Sequence, residues 1–335
     1  MNVEELFNHF NHQKIAVVGD IMLDTYWWGH VERISPEAPV PVVALDKKEL
    51  RLGGAANVAL NTVSLGASTT LFSVIGKDED GDMLIKLLQD QNIDTSYLIK
   101  SNARVTTNKT RIISRNQQMM RLDSEITYDI NHEEQNEFFA AFKMYVEKEK
   151  PSVVIFEDYN KGVLTEQIIR QMIELCRQHL IITTVDPKRK NFFSYKGVHI
   201  FKPNMKEVKE GLNLLLDDIT EPALRSIHNE LNKILHHSIS LITLSEKGVF
   251  FQAEDVSHII PTHVRSIADV SGAGDTVIAV ASMVYAASND IHLAASMANI
   301  AGGLVCEEVG TVAINKQKLL QECQVLLSGS LMSDV

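Results

Sequence analysis

The densest chemistry in the chain lies in DVSGAGDTVIA, residues 269–279. Four small residues, Ser271, Gly272, Ala273 and Gly274, precede Asp275 and a strongly apolar run that reads as a helix starting near Asp275. Small side chains let backbone amides approach an anion closely, and the positive end of the helix dipole adds to the attraction. The stretch therefore reads as a phosphate cradle. A carboxylate at its mouth can accept the proton of an attacking hydroxyl while a phosphoryl group transfers in line, which makes Asp275 a candidate general base. The amides of Gly272, Ala273 and Gly274 would then face the charge that develops on the transferring group. The competing reading of an isolated GxGD is a tight turn whose aspartate caps a helix. No GxxxxGK[ST] occurs and GAGD lacks the third glycine of GxGxxG, so P-loop and dinucleotide-binding readings fall away.

Other candidates lie beside short apolar runs. Gly53, Gly54 and Asn57 stand where a loop enters the helical run NVALNTVSLG; glycine lets a sugar ring lie against the backbone, and Asn57 offers both a donor and an acceptor. Asp20 and Asp24 follow the first strand-like segment, where carboxylates suit paired hydroxyls. Asn204 and Glu207, in FKPNMKEVKE, have the spacing of a capping box, which needs no ligand. Lys161, in EDYNKG with Asp158, and Lys188, in VDPKRK, are cations after strands that could meet phosphate. Arg111, Arg115 and Arg121 alternate along one segment, and an arginine fork suits a sugar phosphate better than a free sugar. The residues do not choose among the three.

The elements that must position these groups alternate. KIAVVGD (14–20), VVIF (153–156), LIITTVD (180–186), HIF (199–201) and ISLITL (239–244) are strand-like, with helical stretches between most of them. That alternation predicts an α/β fold with a mostly parallel sheet covered on both faces. Two stretches break the rhythm. Residues 26–50 carry Trp27, Trp28 and three prolines that forbid a helix, and residues 104–123 alternate β-branched and polar side chains as an antiparallel pair would. Together they predict a small β lid inserted twice, at about 26–50 and 97–124, in a single domain spanning 1–335. The turn GKDEDG should cap a helix with Asp78 or Asp80.

The bulk numbers exclude several classes. A formal net charge of −11 opposes general affinity for nucleic acid or anionic lipid. Three cysteines without a CxxC pair support neither a disulfide framework nor a zinc site, and they fit a reducing compartment. No stretch reaches the roughly 20 apolar residues of a membrane span, and the N-terminus lacks a secretory pattern, so a cytoplasmic location is expected.

DVSGAGDTVIA and RLGGAANVALN, in this order along the chain, resemble the C-terminal and N-terminal signatures of the ribokinase-like (PfkB) carbohydrate kinases. RISPEAPVPVV, SRNQQMMRLD, EDYNKGVL, VDPKRKNFFSY and PTHVRSIADVSGAGDTVIA are similar to the subfamily acting on D-glycero-D-manno-heptose 7-phosphate. The likeness covers roughly residues 14–315. It implies a three-layer α/β/α fold with the lid, ATP and Mg2+ as cofactors with a monovalent cation such as K+ in some relatives, and phosphorylation at C1 to a 1,7-bisphosphate for lipopolysaccharide precursor synthesis. It implies sugar binding by Asp20, Asp24, Gly53, Gly54, Asn57, Asp158 and Lys161, with Arg115, in the subfamily-like SRNQQ, on the sugar phosphate. The nucleotide would meet Lys188, Asn204, Thr243, Ser245, Glu246, Gly248, Ser271, Gly272, Gly274 and Asn299, with Glu207 organising the metal. Many relatives have glycine where Ser245 stands. Such kinases are often fused to a nucleotidyltransferase, an activity expected to be absent here, and a homodimer through the lids is expected. Another sugar as acceptor, or a non-catalytic sugar-phosphate sensor on the same scaffold, are the rival expectations.

Overall fold

The computed structural model describes residues 2–115, 117–215 and 218–328. In chain order its strands are β1 (Lys14–Gly19), β2 (Ile21–Ile34), β3 (Pro41–Gly54), β4 (Ser68–Gly76), β5 (Asp94–Ser101), β6 (Asn108–Ser114), β7 (Gln117–Ser124), β8 (Val153–Glu157), β9 (Ile182–Asp186), β10 (Ile200–Phe201), β11 (Ile239–Thr243), β12 (Val249–Ala253) and β13 (Val256–Ile260). The helices are α1 (Val3–Phe10), α2 (Ala55–Leu65), α3 (Glu79–Asp90), α4 (His132–Glu149), α5 (Glu166–Gln178), α6 (Met205–Leu212), α7 (Glu221–Leu235), α8 (Ala273–Ser288), α9 (Ile291–Val305) and α10 (Lys316–Ser328).

Nine strands form one sheet in the order β13-β12-β11-β10-β9-β8-β1-β4-β5, parallel from β11 to β5 with an antiparallel end at β12 and β13. All five strand-like segments read from the sequence lie in it. Strand β1 shows why such runs are continuously apolar: Ile15 and Val17 enter one buried layer with α1, α2, α3, α8, α9 and α10, while Ala16 and Val18 enter the other with α4, α5, α6 and α7. The layers are those of the α/β fold expected, with helices covering both faces of a mostly parallel sheet.

A second sheet, ordered β3-β2-β6-β7, forms the lid. Its edge strand β3 begins at Pro41, and Pro36 and Pro39 lie in the turn before it, where no ladder bond is demanded of them. The lid strands run further than expected, from Ile21 to Gly54, but the second insertion starts later: Asp94–Ser101 pairs with β4 in the main sheet, so residues 97–101 are not lid. Asp78 caps α3 by accepting from Gly81 N and also accepts from Thr106 N, both at 2.8 Å, which anchors the base of the β6–β7 hairpin.

The carboxyl ends of the parallel strands converge on polar residues: Asp20 after β1, Glu157 and Asp158 at β8, Asp186 ending β9 and Thr243 ending β11. That edge is where open α/β sheets bind ligands.

Candidate active site

Gly272 stands just before α8 with φ +77°, in the left-handed region that glycine enters without strain, and no side chain caps the helix. Ala273 N turns to the Val270 carbonyl at 3.3 Å, which leaves the Gly274 and Asp275 amides for an anion. A Cβ at residue 272 would lie 2.8 Å from Asn57 Nδ2. That amide instead donates to Asp275 Oδ2 at 2.8 Å, while Tyr159 Oη donates to Oδ1 at 2.8 Å. Both oxygens of the candidate base are therefore oriented. Burial pushes the Asp275 carboxyl up to about 6, against the opposing pull of the Asn57 and Tyr159 hydrogen bonds, so it is ionised near neutrality yet basic enough to take a proton.

Asn57 is itself fixed from below. Asn61 Nδ2 donates to the Asn57 carbonyl at 2.8 Å, and Asn61 Oδ1 accepts from Thr276 Oγ1 and Ile314 N. Gly54 takes φ +61° and admits the Asp20 carbonyl, and a Cβ at Gly53 would meet Asp24 Oδ2 at 2.5 Å. The glycines thus let β3 end close to both aspartates.

The lid and strand-end residues divide. Asp24 forms a 2.6 Å ion pair with Arg111, so Arg111 is the lid arginine that reaches the site, while Arg115 is exposed at the β6–β7 turn. Register separates the two: residues 109 and 111 share the face of Asp24 and Tyr26, whereas the strand has already ended at residue 114, before Arg115. Asp20 does not present free oxygens; Oδ2 accepts from Tyr159 N and Lys161 N and Oδ1 from Val163 N, clamping that loop. Asp158 is likewise consumed internally, by Asn160 N, Asn191 Nδ2 and Tyr195 Oη, with burial raising its pKa to about 6. Lys161 Nζ pairs with Glu125 at 2.7 Å.

Of the residues expected to meet the nucleotide, Asn204 and Glu207 form the capping box of α6, with bonds of 2.8 and 2.9 Å. Only Glu207 Oε2 serves the cap; Oε1 meets Lys188 at 2.8 Å, and Lys188 also contacts Asp186 at 3.0 Å. Glu207 and Asp186 are hard oxygen donors of the kind Mg2+ uses through retained waters, so the residues present fit that ion. Thr243 bridges to Asn204, and Ser245 adopts φ +54°, a conformation that explains a preference for glycine there. Gly248, at φ +96°, admits the Ile260 carbonyl, and Glu246 projects to solvent. Asn299 is buried, and its amide donates to the Pro261 carbonyl at 2.9 Å. Ser271 donates from both N and Oγ to Asp269 Oδ1.

Three residues near Asp275 escaped the sequence reading. Tyr159 holds the Asp275 carboxylate, in the EDYNKG segment where only its neighbours were singled out. Asp186 is buried between Lys188 and Lys202; burial opposes its charge, but the two ammoniums hold its carboxyl below the usual range. Glu157 is fully buried, neither of its oxygens has a hydrogen-bond partner among the described residues, and it lies with Asp186 and Asp275 in a group whose ligand atoms are within 4.8 Å of one another. Burial first, then these two carboxylates, push the Glu157 carboxyl well above its usual value. Its signal was a glutamate ending an otherwise apolar strand.

The sequence matches the pfkB family carbohydrate kinase profile over residues 12–318. It is 40% identical over 324 residues to a protein of Methylobacillus flagellatus named Bifunctional protein HldE, covering 96% of this chain and 66% of that one. A Geobacter sulfurreducens protein of the same name is 36% identical over 321 residues, covering 95% and 64%. The chain thus spans slightly less than two thirds of the length of these relatives. Phosphofructokinase-2 from Escherichia coli, solved in complex with potassium, superposes with a TM-score of 0.78 at 17% identity over 94% of this chain and 99% of that one. Arabidopsis thaliana ribokinase complexed with ribose and ATP gives 0.71 at 15% identity over 92% and 99%.

Proposed function

The chain belongs to the pfkB family of carbohydrate kinases, and from that premise we propose that it transfers the γ-phosphoryl group of ATP to the C1 hydroxyl of D-glycero-D-manno-heptose 7-phosphate, with Asp275 as the base. The observation that carries the base assignment is a buried carboxylate at an uncapped helix start, both oxygens held and its pKa pushed up to about 6. Asp275 takes the hydroxyl proton as the acceptor oxygen attacks the γ-phosphorus, the bond to the β,γ-bridging oxygen breaks and ADP leaves. The amides of Gly272, Gly274 and Asp275 meet the charge that grows on the phosphoryl oxygens. Lys188, poised between Asp186 and Glu207, supplies positive charge at the same place. Mg2+, held by Glu207 and Asp186, would neutralise phosphate charge when bound. Asn57, Gly53, Gly54 and the Asp24–Arg111 pair line the sugar side.

The heptose acceptor is supported by identities of 36–40% to proteins named HldE. Another sugar phosphate as acceptor is the alternative reading, and a panel of sugars and sugar phosphates assayed for ADP release separates the two. Loss of turnover without heptose 7-phosphate supports the first, and equal turnover on hexose phosphates refutes it. A dimer through the outer lid face, where Leu45, Met120 and Leu122 are exposed, is part of the reading. So is a cytoplasmic location, for which the three unpaired buried cysteines offer support. No helix among the described residues is long and apolar enough to cross a membrane.

A further inference from the structure

We propose that Lys109 binds a phosphate carried by the acceptor sugar at the end remote from the reacting hydroxyl, so that this residue selects an aldose phosphate over a free aldose. The inference deepens the kinase reading above and rests on it. Most cations facing the site are already engaged. Arg111 pairs with Asp24, Lys161 with Glu125 and Arg121 with Asp123, and Lys188 sits between Asp186 and Glu207. Arg104 donates to the Lys161 carbonyl. Lys109 is half-buried and forms no ion pair among the described residues; Glu125 and Asp123 act on it only from a distance.

Its position fits the task. Lys109 pairs in register with Asp24 on β2, and Nζ lies 5.9 Å from the centre of the Tyr159 ring, whose hydroxyl donates to Asp275. One aromatic ring and one hydrogen bond therefore separate this ammonium from the base, a span that a sugar ring with an exocyclic phosphate can bridge. Burial, then the nearby Lys161 ammonium, pull the Lys109 pKa down, with Glu125 and Asp123 acting the other way. A half-buried ammonium without a counter-ion is costly, and a phosphate dianion removes that cost while forming charge-assisted hydrogen bonds.

The test uses the full chain with saturating ATP and two acceptors, D-glycero-D-manno-heptose 7-phosphate and the same heptose without its phosphate. Lys109→Met should raise KM for the phosphorylated acceptor roughly 10–100-fold, the scale of a hydrogen bond to a charged group. It should leave kcat within about threefold and leave kcat/KM for the free heptose unchanged, and Lys109→Arg should recover most of the loss. Equal losses on both acceptors, or no change on either, overturn the inference. If the wild type releases no ADP with either sugar, the acceptor reading fails separately. Calorimetric titration with inorganic phosphate then decides: at least tenfold weaker binding by Lys109→Met supports the role of Lys109, whereas equal affinity, or no binding by the wild type, overturns it.

Discussion

Asp275 is useful because of what surrounds it. A carboxylate in water would be a weak base at neutral pH; burial lifts this one to about 6, and Asn57 and Tyr159 keep it from rising further. Turnover limited by proton transfer should therefore climb with pH through about 6, as the carboxyl loses its proton. Removing one donor weakens the hold on the charged form, so Tyr159→Phe should move that limb to higher pH and lower kcat about tenfold, read from a pH–rate profile. An unshifted limb would mean that Tyr159 does not tune the base. Glu157 gives a stability prediction with a definite sign. Its folded-state pKa is raised, so its charged form destabilises the fold above its unfolded pKa and costs nothing below it. Glu157→Gln should raise Tm at pH 8 by roughly 1–2 °C, the scale of ~1 kcal/mol in a chain of 335 residues, and by much less at pH 4. A uniform loss of Tm at both pH values would contradict this account.

At the scale of elements, the cradle was legible in the sequence because it is local: small residues, an acid and an apolar run lie consecutively, and α8 begins at Ala273 as that order implies. The five central strands were legible because parallel strands buried on both faces are apolar throughout. What could not be read was assembly. Tyr159, Glu157 and Asp186 become neighbours of Asp275 only because β1, β8 and β9 pair in a particular register, and pairing leaves no trace in one segment. Arg115 was favoured by the likeness of SRNQQ alone, and period-two alternation could not say that β6 would stop at residue 114 and leave Arg115 exposed in the turn. Gly272 tests the element directly. Gly272→Ala places a side chain at φ +77° and a methyl 2.8 Å from Asn57 Nδ2, so we expect about 1–2 kcal/mol of lost stability and a fall in kcat of about 100-fold as Asn57 is displaced from Asp275. Denaturant melts and ADP release measure the two effects, and wild-type values for both would remove the cradle from the argument.

For the whole molecule, the lid has two unlike faces. The face toward the sheet carries Asp24, Tyr26, Lys109 and Arg111, and Arg51 donates to the Val309 and Thr311 carbonyls, tying the lid to the loop after α9. The outer face leaves Leu45, Met120 and Leu122 exposed on a chain whose net charge is −11. A lid-to-lid dimer would cover that apolar area, so Leu122→Lys should shift light-scattering mass from dimer toward monomer at micromolar concentration. A wild type that is monomeric throughout that range would refute the arrangement. The account as a whole depends on the carboxylate at the start of α8 acting as a base. The most direct measurement is ADP release by the wild type and by Asp275→Asn, with saturating ATP and heptose 7-phosphate. The account predicts a loss of about 10²–10⁴-fold in kcat, and a variant that keeps turnover within tenfold of the wild type would contradict it.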